Sequence, residues 1–549
     1  MKLRSREVVG GIEGLPKRAL LKACGYNDTD LNRPFIAIAN SWSKIVPGHV
    51  HLRTIAEAVA EGIRSAGGTP MEFNTIAICD GICMGTDGMR YSLPSRELIA
   101  DSLELMLRAY PFDAVVAIAS CDKIEPGMLM GLARVDLPSI MFTGGPMLPG
   151  EWKGKRVDII TAFEAIGEVK SGRLKEHEAL EIEDRCCPTP GSCAGMFTAN
   201  TMACLIEALG MSLPRVSTCP AVSSEKLKLA RKTGEQIVEL LRRGIRPSKI
   251  LTRSAFENAI VVDMALGGST NTILHLPAIA REVGINLPLE VFDRLSKKVP
   301  QLCSLRPGGE HMVVDLHEAG GIPALMKQLG KLIKGTPLTV TGKTVASNLK
   351  GVRVIESGVI RPLSRPYRKK GGIAILYGNL APEGAVLKIA GIKSLKFLGK
   401  ARVFDGEEAA VRAISEGRIR KGEVVVIRYE GPKGGPGMRE MLSATSLLAG
   451  MNMLEEVALV TDGRFSGGTR GICVGHVSPE AAEGGPIAFV EDGDKILIDA
   501  REGKLELLVE KEVLEERKKS FKPRRLPLSG YLKFYAEHAS SAATGAVRR

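Results

Sequence analysis

Two loops gather the residue types best suited to chemistry. Cys121 opens the run Cys121-Asp122-Lys123-Ile124-Glu125-Pro126-Gly127, and Cys193 closes Cys187-Pro188-Thr189-Pro190-Gly191-Ser192-Cys193. The first loop places a soft thiolate directly before a hard carboxylate, so one short segment could hold iron through sulfur and a magnesium-type ion through oxygen. That pairing points to metal-assisted chemistry. A second thiol and acid, Cys79-Asp80, stand before Gly81.

The elements that must carry these loops follow from the apolar pattern. Phe35-Ile36-Ala37-Ile38-Ala39, Thr75-Ile76-Ala77-Ile78, Ala114-Val115-Val116-Ala117-Ile118 and Ser139-Ile140-Met141-Phe142 read as strands, each running into a polar or glycine-rich loop. Helical periodicity fills the gaps, with Ile55, Val59 and Ile63 on one face of 53–65 and Leu98, Leu103 and Leu107 on one face of 95–107. Uninterrupted apolar strands alternating with helices predict a parallel sheet covered on both sides, whose ligands collect beyond the carboxyl ends of the strands. Cys79, Asp80, Cys121, Asp122 and Lys123 all fall there and are expected to be spatial neighbours. Pro126 suits the first turn of a helix through 128–134. Another helix is expected over 194–209, with Cys193 at its start, where a thiolate is stabilised. Gly267-Gly268-Ser269-Thr270-Asn271 forms a further loop, with His275 beyond it as a structural histidine.

At 549 residues, with 44% hydrophobic and 25% charged content, the chain is globular and too long for one core. No stretch approaches the roughly 18 apolar residues of a membrane span, so a soluble, cytoplasmic protein with no membrane partner is expected. The net charge of +13 permits a nucleic-acid reading, but the basic residues are scattered and aromatics amount to 4%, leaving few stacking platforms for bases. No nucleic-acid partner is therefore expected. Eleven cysteines, an odd number, fit a reducing compartment better than a disulfide framework. Glutamine occurs only at 236, 301 and 328 beside abundant Lys, Arg and Glu, a composition suggesting a heat-adapted source.

Composition shifts over 337–370, where a polar stretch ends in the kinked Arg361-Pro362-Leu363-Ser364-Arg365-Pro366. We place the domain boundary there, dividing the chain into 1–360 and 361–549. Strand-like runs at 372–376, 422–428, 457–460, 487–490 and 495–498 make the second domain β-rich. It carries two glycine-dense loops, 430–440 and 461–469, and neither has P-loop spacing. Ser466, between Phe465 and two glycines, has a sterically clear setting.

The blocks at 40–52, 79–101, 121–130, 187–202, 265–276, 430–442 and 461–480 resemble the family of dihydroxy-acid, 6-phosphogluconate and sugar-acid dehydratases, over nearly the whole chain. The resemblance implies an α/β fold: an N-terminal α/β domain with a parallel sheet, plus a C-terminal β-rich domain of the swivelling type, with the active site between them. It implies that Cys121 and Cys193 ligate an iron-sulfur cluster, that Asp80, Asp122 and Glu440 bind Mg2+ with Lys123 as a carbamylated ligand, and that Ser466 is the catalytic proton acceptor. A carbamate is an anionic oxygen ligand, whereas a plain ammonium would repel the cation. The substrate would be a small 2,3-dihydroxy acid, 2,3-dihydroxyisovalerate or 2,3-dihydroxy-3-methylvalerate, dehydrated to a 2-keto acid for valine and isoleucine. Homodimers or homotetramers are the family's usual assemblies.

One departure stands out. Many relatives carry a third cluster cysteine where this chain reads Val46-Pro47-Gly48-His49-Val50-His51. Either the protein belongs with relatives lacking it, often linked to 4Fe-4S, or Cys79, Cys83 or Cys187 completes the set. His49 and His51 are alternative ligands or shape the pocket. The family at large favours 2Fe-2S. Rival readings are a sugar-acid or 6-phosphogluconate dehydratase, and an iron-sulfur electron carrier or sensor that would need neither Asp80, Glu440 nor Ser466.

Overall fold

The computed structural model describes residues 3–355, 358–522, 524 and 527–548. Four parallel strands form the N-terminal sheet: β1 (Phe35–Asn40), β2 (Thr69–Asn74), β3 (Ala114–Ala119) and β4 (Ser139–Thr143), in the order β2-β1-β3-β4. Every residue of β1, β3 and β4 is buried, which is why these strands read as unbroken apolar runs. Helices Leu52–Ser65, Ser92–Ala109 and Ile124–Val135 make the successive crossovers.

The second strand is not the expected 75–78. It lies six residues earlier, at Thr69–Asn74, where Pro70 is tolerated because β2 is an edge strand. Thr75 still donates from its backbone N–H to the Asn40 carbonyl, after which the chain leaves the sheet and Ile76 is exposed. Helix Ser224–Arg243 backs the sheet by packing on Leu52–Ser65. The two backbones touch at Gly62 and Gly234, where any Cβ would collide with the opposite main chain.

Downstream, eight strands close into a barrel. Its order is Glu423–Arg428, Ala458–Thr461, Cys473–Ser478, Ala381–Lys388, Ile373–Gly378, Lys504–Leu508, Lys495–Asp499 and Lys396–Asp405, which pairs back with the first. The run 487–490, expected as a strand, is instead a tight helical turn, Pro486–Phe489, since a proline at its first position supplies the required φ and lacks a ladder N–H. Leu376, Val424, Val460 and Ile496 fill one barrel core, while Ile373, Ile375 and Val386 join the core of the N-terminal sheet. The protein is thus an α/β fold with a parallel sheet followed by a β-rich barrel. No helix among the described residues is long and apolar enough to cross a membrane.

Candidate metal and catalytic site

The loop after β3 starts with Cys121 at φ 75°, a left-handed conformation that turns the chain sharply out of the sheet. Asp122 and Lys123 follow, and Lys123 caps helix Ile124–Val135, with Pro126 in its first turn. Beyond β2, Cys79 caps the short helix Asp80–Cys83. Glu440 arrives from the far half of the chain on a two-residue strand, Glu440–Met441, paired in parallel with Arg464–Phe465. The carboxyl-end loops of the sheet therefore meet a loop pair attached to the barrel.

Lys123 is completely buried, and its ammonium donates to Asp80 Oδ2 and, at 2.9 Å, to Glu440 Oε2. Asp122 Oδ2 stands 3.5 Å away. One oxygen from each of Asp80, Asp122 and Glu440 lies within 4.8 Å of the others, a spacing suited to holding a metal ion. Glu440 Oε2 also accepts from Arg464 Nη1 at 3.0 Å and Asn271 Nδ2 at 2.9 Å, and Ser92 Oγ donates to Asp80 Oδ1 at 2.6 Å. Three carboxyl groups thus face two buried cations, Lys123 and Arg464. Burial, reinforced by Asp80 and Glu440, pushes the Asp122 carboxyl up to about 8. Burial and Arg464 pull the Lys123 ammonium down, but the three acids outweigh both and leave its pKa raised. The donor set fits a divalent cation, provided Lys123 gives up its positive charge.

Beside the acids lies a cavity of about 190 Å³ reached by Cys79, Cys121, Cys187 and Cys193 as well as Asp80, Asp122, Glu440 and Ser466. The Cys79 thiol is paired with that of Cys121. Soft sulfurs converging beside hard oxygens fit iron on one side of the cavity and a magnesium-type ion on the other. Ser466 Oγ accepts the Gly468 N–H at 3.2 Å, and its own N–H is held by the Met441 carbonyl at 2.9 Å. A backbone donor on this oxygen favours its anionic form.

Cys193 does not start a helix. The helix runs from Thr198 to Ala208, because the Asn200 amide reaches back to the carbonyls of Cys193 and, at 2.8 Å, Gly195, holding 193–197 as a folded loop. Without the helix end, burial alone leads and raises the Cys193 thiol well above its ordinary value. His49 and His51 are not among the residues that line the cavity: their Nε2 atoms bond the Ser120 and Gly144 carbonyls, each at 3.0 Å, and burial lowers His49 to about 4. Arg96 Nη1 lies 3.2 Å from Nδ1 of the buried His275. Sequence reasoning missed Asn271, Arg464 and Ser92 as partners of the acids. The first two lie in loops singled out for their glycines, which was the available signal.

Comparison with known proteins supplies the family. Residues 33–348 match the model described as dihydroxy-acid/6-phosphogluconate dehydratase N-terminal, and 358–546 match its C-terminal counterpart. Proteins named dihydroxy-acid dehydratase are 59% identical in Pyrococcus abyssi, over all of both chains, and 55% identical in Methanothermobacter thermautotrophicus, again over all of both. One from Syntrophobacter fumaroxidans is 55% identical over all of this chain and 99% of its own. With both halves of the chain matched and identity above half along its whole length, this protein belongs to the dihydroxy-acid/6-phosphogluconate dehydratase family.

Proposed function

We propose that the protein dehydrates 2,3-dihydroxy-3-methyl carboxylic acids to 2-keto acids in branched-chain amino-acid biosynthesis. The observation that carries this choice of substrate is the wall of the cavity. Ile82, Met84, Ile160, Phe163, Phe197 and Leu442 form it, and among the described residues the polar side chains lining the cavity, thiols aside, are the three acids, Ser192 and Ser466. Such a wall suits a short branched aliphatic group. A polyhydroxylated sugar acid, or its phosphate, would find no partners for its further oxygens there.

In this reading Asp80, Asp122, Glu440 and a carbamylated Lys123 hold Mg2+, and Cys121 and Cys193 hold an iron-sulfur cluster. When bound, these centres supply Lewis acidity to the substrate carboxylate and its two hydroxyl oxygens. Carbamylation of the Lys123 nitrogen by carbon dioxide releases protons and turns a buried cation into an anionic ligand, which removes the ammonium that would repel the metal ion. Ser466 takes the proton from C2, helped by the Gly468 N–H on its oxygen. The C3 hydroxyl leaves with the C–O bonding pair and is protonated to water from solvent, Ser466 passing its proton back to solvent, and the enol that remains tautomerises to the keto acid. The domain division at 360 assigns the cluster and most magnesium ligands to 1–360 and Glu440 and Ser466 to 361–549. An assembly of two or four chains belongs to the same reading.

Steady-state assays under anaerobic conditions test the substrate. With 2,3-dihydroxyisovalerate, kcat/KM should exceed that for gluconate and 6-phosphogluconate by at least about a hundredfold. Equal or faster turnover of either sugar acid would overturn the assignment. Ser466→Ala should lower kcat by about 10²–10⁴-fold with iron and magnesium contents unchanged, and full activity in that variant would remove Ser466 as the base.

A further inference from the structure

We propose that Cys79 supplies the third sulfur of the cluster site, which is then held by residues 79, 121 and 193. This rests on the reading that an iron-sulfur cluster occupies the cavity. Cys79, Cys121 and Cys193 all line that cavity, from the loop after β2, the loop after β3 and the loop before helix Thr198–Ala208. Cys79 is paired directly with the Cys121 thiol and lies within electrostatic reach of Cys193, so it bridges the other two. Cys187 also lines the cavity and feels Cys193, but its thiol is bonded to that of Cys186, with the two sulfurs 3.9 Å apart. Cys83 sits at the opposite end of the helix that Cys79 caps and does not line the cavity. Cys204, Cys219, Cys303 and Cys473 are buried elsewhere, and Cys24 is exposed.

Position 48 explains why a substitute is needed there. A Cβ built on Gly48 would lie 3.0 Å from Cys121 Sγ and 3.3 Å from Ser120 Oγ, so this residue abuts the thiol yet offers no donor. Cys79 reaches the same sulfur. Three protein sulfurs match a four-iron cluster with one iron left free of cysteine, each thiol yielding its proton to solvent as its sulfur takes iron. Cys79 also directly precedes Asp80, so one short segment contributes to both centres.

The test uses full-length protein purified without oxygen, with iron and acid-labile sulfide counted per chain and the visible spectrum recorded. Cys79→Ser should lose its iron to a chelator at least about tenfold more readily than wild type. Cys83→Ser and Cys187→Ser should retain it. A Cys79→Ser protein with wild-type iron, sulfide and spectrum overturns the inference, whether or not Cys187→Ser loses its cluster. If Cys121→Ser and Cys193→Ser also kept theirs, the cluster reading itself would fall. A second measurement needs no variant: in loaded wild-type protein, iodoacetamide should spare Cys79 and modify it only after the iron is stripped. Equal alkylation of Cys79 before and after stripping is the contrary result.

Discussion

Two buried bases in this protein, Lys123 and Arg439, each gather carboxylates from separate segments, and the acids around Lys123 line a cavity. Arg439 lies within the glycine-dense loop at 430–440, with Nε donating to Glu430 Oε2 at 2.9 Å and Nη2 to Glu408 Oε2 at 3.0 Å. Its fork is matched bidentately by both acids, and the Arg439 bond, the largest influence, holds Glu408 down at about 2. Lys123 is a point charge instead, shared among three acids it cannot saturate. Like ingredients therefore give a closed strut in one place and an oxygen-rich cradle of three acids in the other. Geometry of the cation, more than the number of acids, separates scaffold from site.

Substitution of each base sharpens that contrast. Arg439→Met should cost about 3–5 kcal/mol of unfolding free energy, because Glu430 would stay buried without its partner, and magnesium should recover none of it. Lys123→Met should lose a similar amount in chelator, but here the three acids can recruit an ion. At a hundred times the dissociation constant, Mg2+ should restore about 2.7 kcal/mol. Denaturant titrations with and without the ion distinguish the two, and equal behaviour would erase the distinction.

The next effect belongs to Glu480, an acid with no ion pair among the described residues. Its carboxylate accepts the backbone N–H groups of Lys433 and Gly434 at 2.9 and 2.7 Å, and burial, with Asp462 adding to it, raises its pKa to about 8. The folded chain thus holds a proton that the unfolded chain releases near 4.5. The resulting stability is full below that value and is lost as pH rises towards 8. Glu480→Gln should lack this decline, gaining on wild type by up to about 1.4 kcal/mol per pH unit within the window. Parallel melting curves at pH 5, 7 and 8.5 would reveal it, and curves of unchanged separation would contradict it.

Much of this architecture was legible from the residues. β1, β3 and β4 announced themselves because burial on both faces demands continuous apolar side chains. β2 did not, since Pro70 and the polar Glu72 and Asn74 of an edge strand look unlike a sheet interior. The meeting of Cys121, Asp122 and Lys123 with Cys79 and Asp80 followed from the carboxyl-end rule for parallel sheets. Glu440 was different: it pairs with Lys123 across 317 positions, and no local pattern encodes such a contact, so only resemblance to a family could suggest it. Asn271, Arg464 and Ser92 escaped because steering a carboxylate by hydrogen bonds leaves no periodic trace.

That long separation has a bearing on biosynthesis. A ribosome that has delivered only the first 360 residues has made Asp80 and Asp122 but not Glu440, and Ser466 emerges later still. The emerging polypeptide consequently lacks one member of the three-acid cluster, which is completed only when the last third of translation brings the missing carboxylate home.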